Sequence, residues 1–186
     1  MKEHIDSLAH VVMAMHDDEA LHSGFSSTAA IFAAAIPERK KILVAGNGAS
    51  AGEAQRFALA FVVKFQKEHE AYPALSLASD PSLLTAIGND YGFAEEFERQ
   101  VEAFGQPGDI YVALSVSGNS ENVIRGAMKA KTMGMKTVAL IGKGGGKLKG
   151  MCDAEMIIPS DDGSRIQEMH LFILDALCAE MENSFK

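Results

Sequence analysis

Hydrophobic positions in this chain change their period near residue 37. Over the first 36 residues they recur at helical spacing. Ile5, Leu8, Val12 and Met15 mark one face, and the Ala-rich run from Thr28 to Ile36 continues the type. Asp17-Asp18-Glu19 and Ser23-Gly24 predict a break between two helices, and Pro37 ends the section. Beyond it, short unbroken apolar runs alternate with helical segments. Ile42–Ala45, Ala74–Ala78, Ile110–Leu114, Thr137–Ile141 and Met156–Ile158 read as strands, and Ala51–Phe65, Phe93–Phe104, Asn122–Met133 and Ser164–Phe185 read as helices. Asp80-Pro81-Ser82 has the form of an N-cap followed by proline in the first turn, which starts a further helix running through Ile87.

A strand that is apolar at every position has no side left for solvent. The βα alternation therefore predicts an α/β three-layer sandwich, with a parallel sheet covered by helices on both faces. Ligands of such sheets bind beyond the carboxyl ends of the strands. The chain reads as a single domain over residues 1–186, with N-terminal helices at 1–36 and the α/β core at 37–186. Those first helices are more apolar than one outer layer needs, which predicts packing against a second subunit.

Composition narrows the function classes. The 186 residues are 47% hydrophobic and 23% charged, with a net charge of −8. An acidic surface argues against direct binding of nucleic acid, whose phosphate backbone selects Lys and Arg. No apolar run reaches the roughly 18 residues of a membrane span, and Met1-Lys2-Glu3-His4-Ile5-Asp6 is too polar for a secretory signal. A cytoplasmic protein is expected, with Cys152 and Cys178 reduced.

The candidate chemistry lies at two strand-to-helix junctions. Ser115-Val116-Ser117-Gly118-Asn119-Ser120 follows Ile110–Leu114, and Gly46-Asn47-Gly48-Ala49-Ser50 follows Ile42–Ala45. Free backbone N–H groups and the positive end of the helix dipole converge at such a turn, so phosphate is the natural ligand. Two such loops point to a phosphorylated small molecule. Gly46 to Ala51 also fits a relaxed dinucleotide fingerprint, but the acidic residue expected about 20 positions later belongs at the end of the next strand, which here ends near Asp80, well beyond that spacing. Gly142-Lys143-Gly144-Gly145-Gly146-Lys147 lacks the Ser or Thr of a nucleotide-binding P-loop, because Leu148 follows, and a mobile loop is expected there. Gly88-Asn89-Asp90 reads either as a Gly-led helix end and turn or as an Asn-Asp pair for sugar hydroxyls. On the last helix, Gln167, His170 and Asp175 share a side, with Glu168 turned away. A lone His there is more often packed than catalytic, although its pKa range suits proton transfer. No His has a helical His or Glu partner at metal-ligand spacing.

Together, Gly46–Ser50, Gly88-Asn89-Asp90, Ser115–Ser120 and Arg165-Ile166-Gln167-Glu168 resemble the phosphoheptose isomerase family of SIS-domain proteins, over nearly the whole chain. The resemblance implies the SIS fold and a homotetramer with sites between subunits. It implies that Ser50, Ser115, Ser117 and Ser120 hold a sugar phosphate, in loops that include Gly48, Ala49 and Val116, while Asn47, Asn89, Asp90 and Gln167 touch the sugar. The family reaction converts sedoheptulose 7-phosphate to a heptose phosphate through an enediol.

The chain also departs from that pattern. Zinc-dependent members carry His and Glu four residues apart after the first loop, where this chain has Arg56 and Ala60. The family's last His falls on Asp175, and Val116 replaces a usual hydroxyl. No catalytic residue is assigned; Glu53, His170 and Asp175 are candidates for a relocated base. No zinc site or other cofactor is expected, and an Arg56–Asp175 ion pair is expected in place of the metal link. Ala51-Gly52-Glu53-Ala54-Gln55-Arg56-Phe57-Ala58 and Arg165 to His170 are similar to the DnaA initiator-associating proteins, tetramers of the same fold. This second resemblance implies a non-catalytic assembly or regulatory role with a protein partner.

Overall fold

The computed structural model describes residues 1–182. Helices α1 (Lys2–His16) and α2 (Glu19–Ala35) precede strand β1 (Ile42–Gly46). Then come α3 (Ala49–Val62), β2 (Ala74–Ser76), α4 (Pro81–Asp90), α5 (Glu96–Phe104), β3 (Ile110–Ser115), α6 (Glu121–Thr132), β4 (Lys136–Ile141), β5 (Ala154–Ile157) and α7 (Gly163–Met181). All strand pairs are parallel and the order is β2-β1-β3-β4-β5. The chain moves from β1 outward to β2, then returns past β1 to lay down β3, β4 and β5. Right-handed crossovers taken in opposite directions leave their helices on opposite faces of the sheet. Accordingly, Ile42, Val44, Val112, Leu114, Val138 and Leu140 pack with apolar residues of α1, α2, α3 and α7. Leu43, Ala45, Tyr111, Ala113, Ala139 and Ile141 pack on the other face with α5 and α6. This is the expected three-layer α/β sandwich.

The first segment differs from its expected form in one respect. Asp17 and Asp18 do separate two helices, and the Asp18 carboxylate caps α2 by accepting from the Leu21 N–H at 3.0 Å. Gly24, however, lies inside α2 and is no helix breaker. A β-carbon there would sit 2.1 Å from the backbone oxygen of Glu155, so glycine is required because α2 rests directly on β5. Long-range packing, and not local chain reversal, explains this glycine.

Other boundaries shift for similar reasons. Asp80 caps α4 as expected, accepting from Ser82 N–H at 2.8 Å and Leu83 N–H at 3.2 Å. The helix continues through Asp90, so Gly88-Asn89-Asp90 form its last turn and not a turn beyond it. The segment expected as one helix from Phe93 starts with a 3₁₀ turn, Phe93–Glu95, before α5. The glycine-rich segment, expected to be mobile, is a kinked 3₁₀ stretch, Lys143–Leu148, with Leu148 fully buried. The expected end of the last helix at Phe185 lies outside the described residues. No described helix is long and apolar enough to cross a membrane.

Replacing Gly24 with Val forces α2 off β5 and is expected to destabilise the fold by about 2–3 kcal/mol. The check is a lower denaturation midpoint in urea at unchanged slope.

Candidate functional site

Because the strand order reverses between β1 and β3, the segments leaving their carboxyl ends turn to opposite faces and open a crevice. Gly46–Ser50 and Ser115–Ser120 border it. The helices that start here are treated differently from their neighbours. Helices α2, α4 and α7 are each capped by an Asp side chain, that of α7 being Asp162 to Ser164 N–H at 2.8 Å. Helices α3 and α6 have Gly48 and Ser120 at the N-cap, with no side-chain cap hydrogen bond. At α3 the Ser50 and Ala51 N–H groups donate to the Asn47 and Gly48 carbonyls, and at α6 the Val123 N–H donates to Asn122 Oδ1. This leaves the N–H groups of Ala49, Glu121 and Asn122 for another acceptor, and both dipoles add positive potential.

Hydrogen bonds hold the second loop in a defined shape. Buried Ser115 accepts from Gly118 N–H at 3.1 Å, and its hydroxyl lies 3.2 Å from Ser120 Oγ. Ser117 Oγ accepts from Asn119 N–H at 3.2 Å. Asn119 faces away and accepts from the Lys147 N–H at 3.1 Å, while Leu148 N–H donates to the Gly118 carbonyl at 3.0 Å. Gly118 has φ of +65°, and a β-carbon on it would sit 1.9 Å from the Gly145 oxygen. The glycine-rich segment therefore acts through its backbone, as a brace beneath the loop. Val116 turns its side chain toward the start of α7, packs against the core there and offers only its backbone to a ligand.

The first loop is joined to the second by an amide pair that spacing did not reveal. Asn47 Nδ2 donates to Asn122 Oδ1 at 2.9 Å, and Asn122 Nδ2 donates to Asn47 Oδ1 at 2.8 Å. Asn122 is fully buried, and its amide also lies 3.4 Å from Glu96 Oε2. Burial raises the Glu96 carboxyl above the usual range, and the Asn122 amide opposes this in part. The only sequence signal was a polar residue at a buried helical position. Asn89 and Asp90, exposed at the end of α4, hydrogen-bond each other at 2.7 Å. They belong to this neighbourhood because a β-carbon on adjacent Gly88 would lie 3.3 Å from Glu96 Oε1. Gly48 and Ala49 are exposed at the start of α3, Ser50 is buried, and Gln167 is half-buried near the start of α7.

Helices α3 and α7 meet beside the first loop and bring together the residues expected as candidate bases. Glu53 lies one turn beyond Ser50, and His170 one turn beyond Gln167. Glu53 Oε2 is 3.9 Å from His170 Nδ1. His170 is fully buried, and Glu53 Oε2 and both imidazole nitrogens are buried without a hydrogen-bond partner. Burial pushes the Glu53 carboxyl up to about 7, with the nearby Ser50 hydroxyl opposing this in part. Burial pushes His170 down to about 4, opposed in part by the Ile141 backbone. Neither group meets a full countercharge.

Further along the same seam, Arg56 and Asp175 form the expected ion pair. It is bidentate, with Nη1 to Oδ1 at 2.8 Å and Nη2 to Oδ2 at 3.0 Å. With Ala60 they line a cavity of about 220 Å³ between α3 and α7. This donor set does not fit zinc. Arg56 only donates, Ala60 has no ligand atom, and both Asp175 oxygens are engaged by the guanidinium. Among the described residues no cluster of His, Cys, Asp or Glu is arranged to hold a metal ion.

Two outcomes follow from these titrations and contacts. Between pH 4 and 6.5 the unfolded chain binds a proton at His170 that the folded chain refuses. Wild-type stability relative to His170→Gln therefore rises with pH across that window and is flat above it, as read by denaturant titrations at several pH values. The Arg56–Asp175 pair is half exposed, so a double-mutant cycle with Ala is expected to give a coupling of about 0.2–1 kcal/mol that shrinks in high salt.

Comparison with known proteins places the chain. Residues 3–142 match the SIS domain. The phosphoheptose isomerase of Nitratiruptor sp. is 49% identical over 151 residues, which are 81% of each chain. That of Helicobacter pylori is 43% identical over 178 residues, 96% of this chain and 93% of the relative. The structure of phosphoheptose isomerase from Neisseria gonorrhoeae superposes with a TM-score of 0.91 at 34% identity, covering 98% of this chain and 96% of that one. With the reversal crevice, the uncapped helix starts and the serine loop already in place, these matches make the chain a member of the phosphoheptose isomerase family of SIS-domain proteins.

Proposed function

We propose that the chain is a sugar-phosphate isomerase acting on a ketose phosphate of the sedoheptulose 7-phosphate type. One observation carries the reading: of the four α-helices that directly follow a strand, the two that start at the β1–β3 crevice have no side-chain cap while α4 and α7 are capped by Asp, and serine hydroxyls surround the second start. A phosphate dianion supplies the missing acceptors. Ser50, Ser115, Ser117 and Ser120 donate to it, with the N–H groups at Gly48, Ala49 and Val116 in reach of the same loops. Asn47, held by Asn122, together with Asn89, Asp90 and Gln167, receives the sugar hydroxyls.

Ketose–aldose interconversion moves a proton between adjacent carbons through an enediol, which requires a base positioned at those carbons. Ala60 has no such group. The titratable side chains that α3 and α7 bring together beside the first loop include Glu53, Arg56, His170 and Asp175. The apolar faces support a homotetramer. Val12, Met13 and Phe172 are exposed around a groove of about 480 Å³ between α1, α2 and α7, which suits further copies of the chain. A cytoplasmic setting follows from such a substrate, and the acidic composition disfavours direct contact with nucleic acid.

The Arg56–Asp175 pair favours a second reading, a non-catalytic tetramer that binds a sugar phosphate and regulates a protein partner. Purified protein incubated with sedoheptulose 7-phosphate separates the two, with Asp175→Ala as a control. Formation of an aldose phosphate supports the isomerase. Saturable binding without turnover supports the regulator. In either case, replacing both Ser115 and Ser117 with Ala is expected to weaken binding of sedoheptulose 7-phosphate by about tenfold to a hundredfold, measured by calorimetry.

A further inference from the structure

We propose that Arg56, oriented by Asp175, binds the unphosphorylated end of the sugar chain, and that its distance along α3 from Ser50 sets the chain length the protein accepts. The inference rests on the reading of Ser50 as a phosphate ligand and goes beyond it to the other end of that ligand.

The fork on Asp175 leaves donors to spare. A guanidinium carries five N–H groups and no acceptor. Asp175 takes one from Nη1 at 2.8 Å and one from Nη2 at 3.0 Å, and among the described residues the other three make no hydrogen bond. Both carboxylate oxygens grip one rigid plane, so the free donors are held in a fixed direction. The Arg56 side chain is 48% exposed and borders the cavity of about 220 Å³, where Ala60 contributes only a methyl group to the wall. The other cation lining the cavity, Lys64, is joined to Glu68. With the charge of Arg56 met by Asp175, an uncharged, oxygen-bearing group suits these donors better than a second anion.

Helix geometry fixes the level of these donors. Helices α3 and α7 run side by side in the same direction, since Glu53 meets His170 and Arg56 meets Asp175. At about 1.5 Å of rise per residue, Glu53 stands roughly 4.5 Å beyond Ser50, Arg56 about 9 Å and Ala60 about 15 Å. In an open seven-carbon 2-ketose 7-phosphate, seven bonds separate phosphorus from the carbonyl carbon. Three chain bonds span roughly 3.3–3.6 Å, so this separation is about 8 Å. The carbonyl end therefore passes Glu53, reaches the level of Arg56 and stops short of Ala60. A five-carbon ketose 5-phosphate has two bonds fewer and falls about 2 Å short of Arg56.

The test uses sugar alcohol phosphates of seven, six and five carbons, phosphorylated at one end. They are open chains without a carbonyl, so they bind without turnover, and their hydroxyl oxygens accept from the same donors. Calorimetry gives their affinities for wild type, Arg56→Ala, Arg56→Lys and Asp175→Asn, with inorganic phosphate as the probe of the phosphate end alone. Wild type is expected to bind the seven-carbon compound about tenfold to a hundredfold more tightly than the five-carbon one. Arg56→Ala is expected to bind all three alike. Arg56→Lys keeps the charge but not the fork, and Asp175→Asn keeps the shape but not the charge that holds it. Both are expected to lose most of the length preference. All three variants are expected to bind inorganic phosphate as wild type does, which shows that their phosphate end is folded. Equal binding of the three lengths by wild type overturns the inference, as does an undiminished length preference in Arg56→Ala or Arg56→Lys. Failure of wild type to bind inorganic phosphate and every sugar alcohol phosphate overturns the sugar-phosphate reading itself, and this inference with it.

Discussion

Asp109 carries a nearly buried carboxylate to the start of β3, and every lone pair it brings inside must be used. One oxygen accepts from the Lys41 N–H at 2.8 Å, and the other from the Gln106 N–H at 2.9 Å and from the Lys41 ammonium at 2.6 Å. Its backbone carbonyl accepts from Lys136 N–H at 2.8 Å, at the start of β4. The amino ends of β1, β3 and β4 are thus pinned together around one satisfied charge. The parallel ladder carries that register along β1 and β3, pairing Ile42 with Ile110 and Gly46 with Leu114. The Gly46–Ser50 and Ser115–Ser120 loops emerge level with each other because of this register. Tyr111 then fixes α6 against β3, its buried hydroxyl donating to the Val123 carbonyl at 3.0 Å.

What the register aligns is electrostatic as much as steric. A helix whose first N–H groups lack an acceptor is costly when enclosed and useful when it faces an anion. This chain caps α2, α4 and α7 with aspartates and gives α3 and α6 no side-chain cap where they border the crevice. The Asn47–Asn122 amide pair ties the first loop to the start of α6. Glu53 is the counterweight, a carboxylate one turn from Ser50 whose charge the site disfavours.

The seam between α3 and α7 shows how far a family scaffold can keep its shape while its polar residues change. Arg56 and Asp175 join the two helices by a bidentate contact at positions where the sequence resemblance predicts an ion pair in place of a metal link. The geometry of a fork on a carboxylate is specific, but its half-exposed setting makes it a modest source of stability. Packing of Phe57, Ala60, Phe61, Leu174 and Cys178 in the shared core holds the seam.

The residues of this chain determined by themselves whatever depends on local periodicity and backbone chemistry. Unbroken apolar runs could only be strands of a sheet covered on both faces, and the serine and glycine loops after them could only be strand-to-helix turns suited to an anion. The Arg56–Asp175 pair was legible too, because substitutions at two linked positions of a known pattern were complementary in charge. Tertiary structure alone decided the rest. Gly24 reads as a breaker until α2 is laid on β5, and the Lys143–Leu148 segment reads as mobile until its backbone is found beneath Gly118. Asn122 and Glu96 carry no spacing signal at all, since their role comes from contacts between α5, α6 and the first loop. The same holds for Glu53 and His170, 117 positions apart in the chain and 3.9 Å apart across α3 and α7. Burial and missing partners set the ionisation of such groups, and both are properties of the packed molecule that no stretch of sequence contains.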